Sequence, residues 1–195
     1  MLIQTLADEV VPCAYDRSMP TVPAELNTFY DGWANHQRLI LDAIRDLDPD
    51  QLGLRPIADA WSIWQLAGHV AGSRSYWFQD VLGEGDQALR DRFRVTSTTV
   101  PDLPLEDAGW EDDEDHPRSA PELVDALDTT WAMIDTCLRR WTTEDLAAEF
   151  SRSRRSGTES VTRAWVIWHL MEHDVHHGGE ISLILGTNDL HGLEL

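Results

Sequence analysis

The chain has 195 residues, 42% of them hydrophobic, with 35 Asp+Glu against 15 Lys+Arg and a formal net charge of −20. That size suits one globular domain, and that charge repels phosphate backbones and anionic lipid, so neither nucleic acid nor a membrane surface is an expected partner. No stretch approaches the roughly 18 apolar residues of a membrane span, the first residues lack the basic start of a secretory leader, and Cys13 and Cys137 have no paired spacing, all of which suits a reducing cytoplasm.

In chain order, residues 1–20 read as an N-terminal arm and residues 21–195 as a single helical domain. The first helix follows Pro23 and sets Leu26, Phe29, Tyr30, Trp33, Ile40 and Ile44 on one side at spacings of three and four. It stops before the acidic turn at residues 46–51. A second helix begins at Ser62, which has the S-x-x-Q spacing of a reciprocal N-cap with Gln65, and runs to Gly83. It is apolar nearly all round, as a helix buried on most sides would be.

A long connection follows, at about residues 84–118, and includes the only strand-like alternating run, Phe93 to Val100. Residues 102–116 hold eight Asp or Glu, which predicts a solvated, mobile loop. The alternating ligands and central glycine of a Ca²⁺ loop are missing. The third helix starts at the S-x-x-E box of Ser119 and Glu122 and reaches Trp141, and the fourth runs from about Val161 to Leu185, closed by Gly186. The class is all-α: a helical bundle with one long crossover between helices two and three.

Eight His and nine Trp stand out, with four histidines between His169 and His177. At about 100° per residue from His169, His173 falls near 40° and His177 near 80°, while the apolar stripe of Val166, Leu170, Ile181 and Ile184 centres near 80°. His173 and His177 therefore point inward, one turn apart, and two imidazoles so placed reach one divalent ion. The candidate third ligand is His69, the only histidine of the buried second helix, with Ser73, Tyr76 and Asp80 on its own face. Burying three imidazoles is costly, and a metal ion removes that cost.

His36 is a candidate fourth ligand or a donor behind the ligands, and Glu180, one turn past His177, either orients an imidazole or is merely solvated. Gly178 and Gly179 each cost about 1 kcal/mol in a helix, so they leave room for a ligand, allow close helix packing or mark a kink. His116, His176 and His191 read as surface residues, and Cys137 as a small core residue.

The stretches FYDGWANHQRLI, LRPIADAWSIWQLAGHVAG and WHLMEHDVHHGGEIS, in that order over residues 23–187, resemble the first, second and fourth helices of the DinB-like (DNA-damage-inducible, YfiT-like) superfamily. The resemblance implies an antiparallel four-helix bundle, commonly a homodimer, with a divalent ion on three helix-borne ligands that fall on His69, His173 and His177. Family members commonly read H-R-G-Q after the last ligand; here the residues are His177, Gly178, Gly179 and Glu180, so substrate contacts made there elsewhere do not transfer. Similar proteins include thiol S-transferases that use bacillithiol or mycothiol and a mycothiol-dependent isomerase.

The expected function is a metal-dependent enzyme of the thiol S-transferase type acting on a small molecule. A three-His site leaves a coordination position open for a low-molecular-weight thiol. Zn or Ni are the first candidates for the ion and Fe a further one. Tyr76, Asp80 and Glu180 are the candidate groups for proton handling. A metal-dependent hydrolase and a non-catalytic, metal-stabilised bundle are the alternatives. The charge argues against direct DNA binding.

Overall fold

The computed structural model describes residues 21–154 and 157–194, so the expected arm at residues 1–20 lies outside the described residues. Helix α1 (Asn27–Ile44) buries Trp33, Ile40 and Ile44 along one face, and α2 (Pro49–Leu52) is a single turn closed by reciprocal bonds between Asp48 and Gln51. Helix α3 (Ile63–Ser75) starts where the Ser62 N–H and hydroxyl both donate to Gln65 Oε1 at 3.0 Å, as the S-x-x-Q pattern requires. It runs on into a π-helical turn, Tyr76–Val81, a wider winding often associated with functional sites.

The crossover holds α4 (Gln87–Arg92) and two 3-10 turns, Leu105–Asp107 and Trp110–Asp112. Helix α5 (Ala120–Arg140) begins at the Ser119–Glu122 box, and α6 (Thr143–Leu146) follows. Strands β1 (Glu149–Arg154) and β2 (Gly157–Thr162) pair antiparallel, with Arg152 opposite Glu159. Helix α7 (Arg163–Thr187) is capped by Thr162, whose hydroxyl accepts from the Trp165 N–H at 3.1 Å. Among the described residues no helix is long and apolar enough to cross a membrane.

Three details differ from expectation. The chain is mostly helical, in keeping with the expected class, and carries one small sheet: the β1–β2 hairpin occupies residues expected to be a connection and the start of the fourth helix. Its sequence, EFSRSR and GTESVT, is too polar to show a strand pattern; it folds because Val161 is buried and Phe150 packs partly against the same core. Conversely, Phe93 to Val100 is not a strand: Phe93 and Val95 are buried singly under the crossover. Gly186 lies inside α7 rather than closing it.

The long helices pack α3 against α5 and α7, and α1 against the same two. Apolar side chains form two clusters, one around Ile44, Ile63, Leu127 and Ile181, the other around Trp77, Phe78, Ile134 and Leu170. Along each helix a polar layer lies between them. Its centre is Arg74 against Asp174, both at 0% exposure, with Arg74 Nη2 and Nε 2.7 and 3.0 Å from Asp174 Oδ2. Trp33 donates to the same oxygen at 2.6 Å, and Arg74 Nη1 donates to Gln37 at 2.7 Å and to the Leu127 carbonyl at 3.4 Å. One ion pair thus joins α1, α3, α5 and α7.

Burial alone would raise the Asp174 pKa, but the Arg74 charge and the donors around it hold it below the usual carboxylate value. Arg74→Leu leaves that carboxylate unpaired in the core, and urea unfolding should show a loss of about 3–5 kcal/mol. Arg74→Met combined with Asp174→Leu should recover most of it, because a buried pair replaced whole by apolar groups is often close to neutral.

Candidate metal centre

Helix α3 presents His69, and α7 presents His173 and His177 across from it. The His69 and His173 Nε2 atoms are 3.0 Å apart, and one ligand atom from each of the three rings falls within 4.8 Å of the others. His177 is buried and the other two rings are partly so.

Each imidazole has a carboxylate behind it. Glu111 Oε1 is 2.5 Å from His69 Nδ1, Glu180 Oε2 is 2.6 Å from His177 Nδ1, and Asp174 Oδ1 is 3.9 Å from His173 Nδ1. With the proton held on each Nδ1, each Nε2 offers its lone pair to the centre, which is the tautomer a carboxylate–histidine–metal arrangement needs. Asp174 Oδ1 and His173 Nδ1 are both buried without a hydrogen-bond partner, a pair that a small rotation of the His173 ring would join. The donor set therefore fits a divalent metal ion.

The His177 ring is tuned to stay neutral. Burial pushes the His177 pKa down from 6.5 to about 4, against the opposing pull of Glu180 and with help from the neighbouring His173 and His69. A neutral imidazole is the form that binds a metal.

Trp61 tilts over the centre, its ring 4.6 Å from that of His69 and 6.2 Å from that of His177. Beside His177, a cavity of about 380 Å³ is walled by Trp61, Leu66, Leu183 and Ile184, with Asp59 and Glu180 as its acidic groups. A larger hollow of about 730 Å³ between α1 and α7 touches none of the three clustered histidines. The smaller one is the cavity that adjoins the histidine cluster.

Of the residues singled out in the sequence, His69, His173, His177 and Glu180 come together. Tyr76 shares their face of α3 two turns on, where its hydroxyl accepts from Arg152 Nε at 2.9 Å. Asp80 is held in an ion pair by Arg90 of α4 and makes no contact with the histidines. His36 is not a ligand: its Nε2 is 2.9 Å from the Asp174 carbonyl oxygen. That contact explains Gly178, where a Cβ would collide with the His36 ring. Close packing of α1 on α7 is thus the reason for that glycine.

Sequence reasoning missed Glu111, Trp61 and Asp174. Glu111 lay hidden in the acidic crossover, which the structure shows to be partly anchored rather than freely solvated. Trp110 is buried against Phe93, Gln65 donates to the Glu111 carbonyl at 2.6 Å, and Arg55 pairs with Glu114 at 3.0 Å. Gly109 lets the Glu111 side chain fold back, since a Cβ there would strike its carboxylate. The one usable signal was an apolar Trp110 inside an acidic run.

A mostly helical chain that brings three imidazoles to one point, each backed by a carboxylate, is a helical protein with a candidate metal centre. The DinB superfamily model matches residues 33–181, and the chain belongs to that superfamily. Among solved structures it is similar to a DinB-like protein from Bacillus cereus, at 15% identity and a TM-score of 0.58 over 87% of this chain and 97% of the other. A conserved protein from Enterococcus faecalis is similar at 16% identity and a TM-score of 0.61, over 83% and 97% respectively. No curated protein is detectably similar in sequence.

Glu111→Gln removes the charge behind His69 and is expected to weaken Zn affinity about 10–100-fold in a competition assay with a coloured chelator. The pH dependence has a definite sign. Between pH 6.5 and about 4 the unfolded chain takes up the His177 proton and the folded chain does not. Stability of the metal-free protein is therefore full above that window and falls as pH drops through it. Urea midpoints should follow this slope, and His177→Gln should flatten it.

Proposed function

We propose that this chain is a metal-dependent enzyme of the thiol S-transferase type, built on an antiparallel four-helix bundle, that joins a low-molecular-weight thiol to an electrophilic small molecule. The observation that carries this reading is the cluster of His69, His173 and His177, whose ring nitrogens lie close enough to hold one ion; three protein ligands would leave a coordination position open. When bound, the ion supplies Lewis acidity that lowers the pKa of a coordinated thiol.

The chain's own residues prepare that site. Glu111 and Glu180 fix the tautomers and orientations of the His69 and His177 rings, Asp174 stands 3.9 Å behind His173, and Trp61 covers one side of the His69 and His177 rings. The largely apolar cavity beside His177 suits an uncharged electrophile, and Glu180, on its wall and bonded to His177, is placed to take or return a proton. The chain brings no cysteine nucleophile of its own among the described residues: burial pushes the Cys137 thiol up to about 11. The thiol therefore comes from a co-substrate.

Protein purified without a histidine tag should carry about one divalent ion per chain by elemental mass spectrometry, and His173→Ala should lose it. The Zn-loaded or Ni-loaded protein, given a small thiol and chlorodinitrobenzene, should form the thioether, and a chelator should abolish this while circular dichroism stays helical. Metal-dependent ester hydrolysis without thioether formation would replace the transferase reading by a hydrolase. Unfolding on chelation, with no turnover of either kind, would leave a structural ion.

A further inference from the structure

A serine or threonine hydroxyl inside a helix commonly donates back to a carbonyl three or four residues earlier. Thr130, Thr136 and Thr187 do so, at 2.7 to 3.1 Å. Ser73, in the interior of α3, does not. Its hydroxyl reaches across to α7, where its oxygen lies 3.4 Å from His173 Nε2.

The nitrogen it meets is the one that faces the centre, 3.0 Å from His69 Nε2. An ion held by His173 would take the lone pair to which Ser73 donates, so the hydroxyl proton must then turn to another acceptor. Its oxygen already stands at a fitting distance, because two atoms bound to one tetrahedral Zn lie about 3.3 Å apart. Ser73 follows His69 by one turn on the same face of α3, so the backbone that presents the ligand presents the hydroxyl too.

The other groups around the centre make this hydroxyl singular. Apart from one another and Ser73, the three rings pair with Glu111, Asp174 and Glu180, and ionised carboxylates only accept hydrogen bonds. Trp61 lies over His69 and His177 by its ring. Among the described residues, Ser73 is thus the one hydrogen-bond partner of these rings with a proton to give an incoming group. In a chain of net charge −20, an anion entering here meets three carboxylates behind the rings and a single donor.

We propose that Ser73 donates a hydrogen bond to the anionic atom that fills the open coordination position, and that this atom is the thiolate sulfur of the co-substrate. Its identity as sulfur rests on the thiol-transferase reading, and its place on the metal centre. The hydroxyl adds a charge-assisted bond to the thiolate and sets the direction in which the remaining sulfur lone pairs face.

The test uses the Co(II)-loaded full chain and mercaptoethanol, read by the thiolate-to-cobalt charge-transfer band. Ser73→Ala should keep its helical circular dichroism and cobalt content, bind the thiol about tenfold more weakly and move the band to longer wavelength. The band moves because a hydrogen bond lowers the energy of the sulfur electrons; a serine that merely packed would leave it in place. Ser73→Thr, which keeps the hydroxyl, should restore both affinity and band. A band that stays in place in Ser73→Ala overturns the proposal, whatever the affinity does. Loss of cobalt from a folded Ser73→Ala would make the hydroxyl a ligand of the ion, and overturns it as well.

Failure of the thiol reading is separable from this. If mercaptoethanol gives no band in the wild type, that reading falls, and azide, an anion with its own charge-transfer band on cobalt, decides the role of Ser73. Azide binding about tenfold weaker in Ser73→Ala sustains it, and equal or absent binding overturns it. A wild-type chain that takes up no cobalt overturns the metal centre and this role together.

Discussion

Arg74 and Asp174 are both wholly out of water, and the geometry around them shows what makes that tolerable. Removing two charges from solvent costs several kcal/mol each unless they are paired and their remaining hydrogen-bonding atoms are met. Here the guanidinium reaches Asp174, Gln37 and a backbone carbonyl of α5, and Asp174 also accepts from Trp33. Apolar faces can slide past one another at modest cost, but this pair fits only one alignment of α1, α3, α5 and α7. It sets the register on which the two apolar clusters and the histidine centre depend.

The same residue links the core to the chemistry. One Asp174 oxygen belongs to Arg74 and Trp33, while the other faces His173 Nδ1 at 3.9 Å. The Asp174 backbone carbonyl is held by His36, which packs where Gly178 omits a side chain. The carboxylate nearest one candidate ligand thus belongs to the interaction that holds the helices together. The other two ligands take their orientation locally, His177 from Glu180 within α7 and His69 from Glu111 in the crossover.

Electrostatics divide the molecule by function. A net charge of −20 is carried largely on surfaces where arginines find acidic partners, while the centre holds three imidazoles, of which His177 is kept neutral chiefly by burial. Carboxylates behind the rings suit a bound cation, since they offset its charge and raise the basicity of its ligands.

Much was legible in the residues themselves. Helical periodicity, the Ser62–Gln65 and Ser119–Glu122 boxes and the placement of His69, His173 and His177 all rest on interactions within one or two turns, which sequence spacing encodes directly. The β1–β2 hairpin was not legible, because its strands are polar and owe their stability to Val161 and Phe150 meeting a core built by other segments. Nor were Asp174 opposite Arg74, Glu111 behind His69, or Trp61 above it, since each depends on segments far apart in the chain. The sequence by itself determined which faces of α3 and α7 carry imidazoles. Only the tertiary structure decided which carboxylates stand behind them, because the partners of buried and crowded charges are chosen by packing rather than by periodicity.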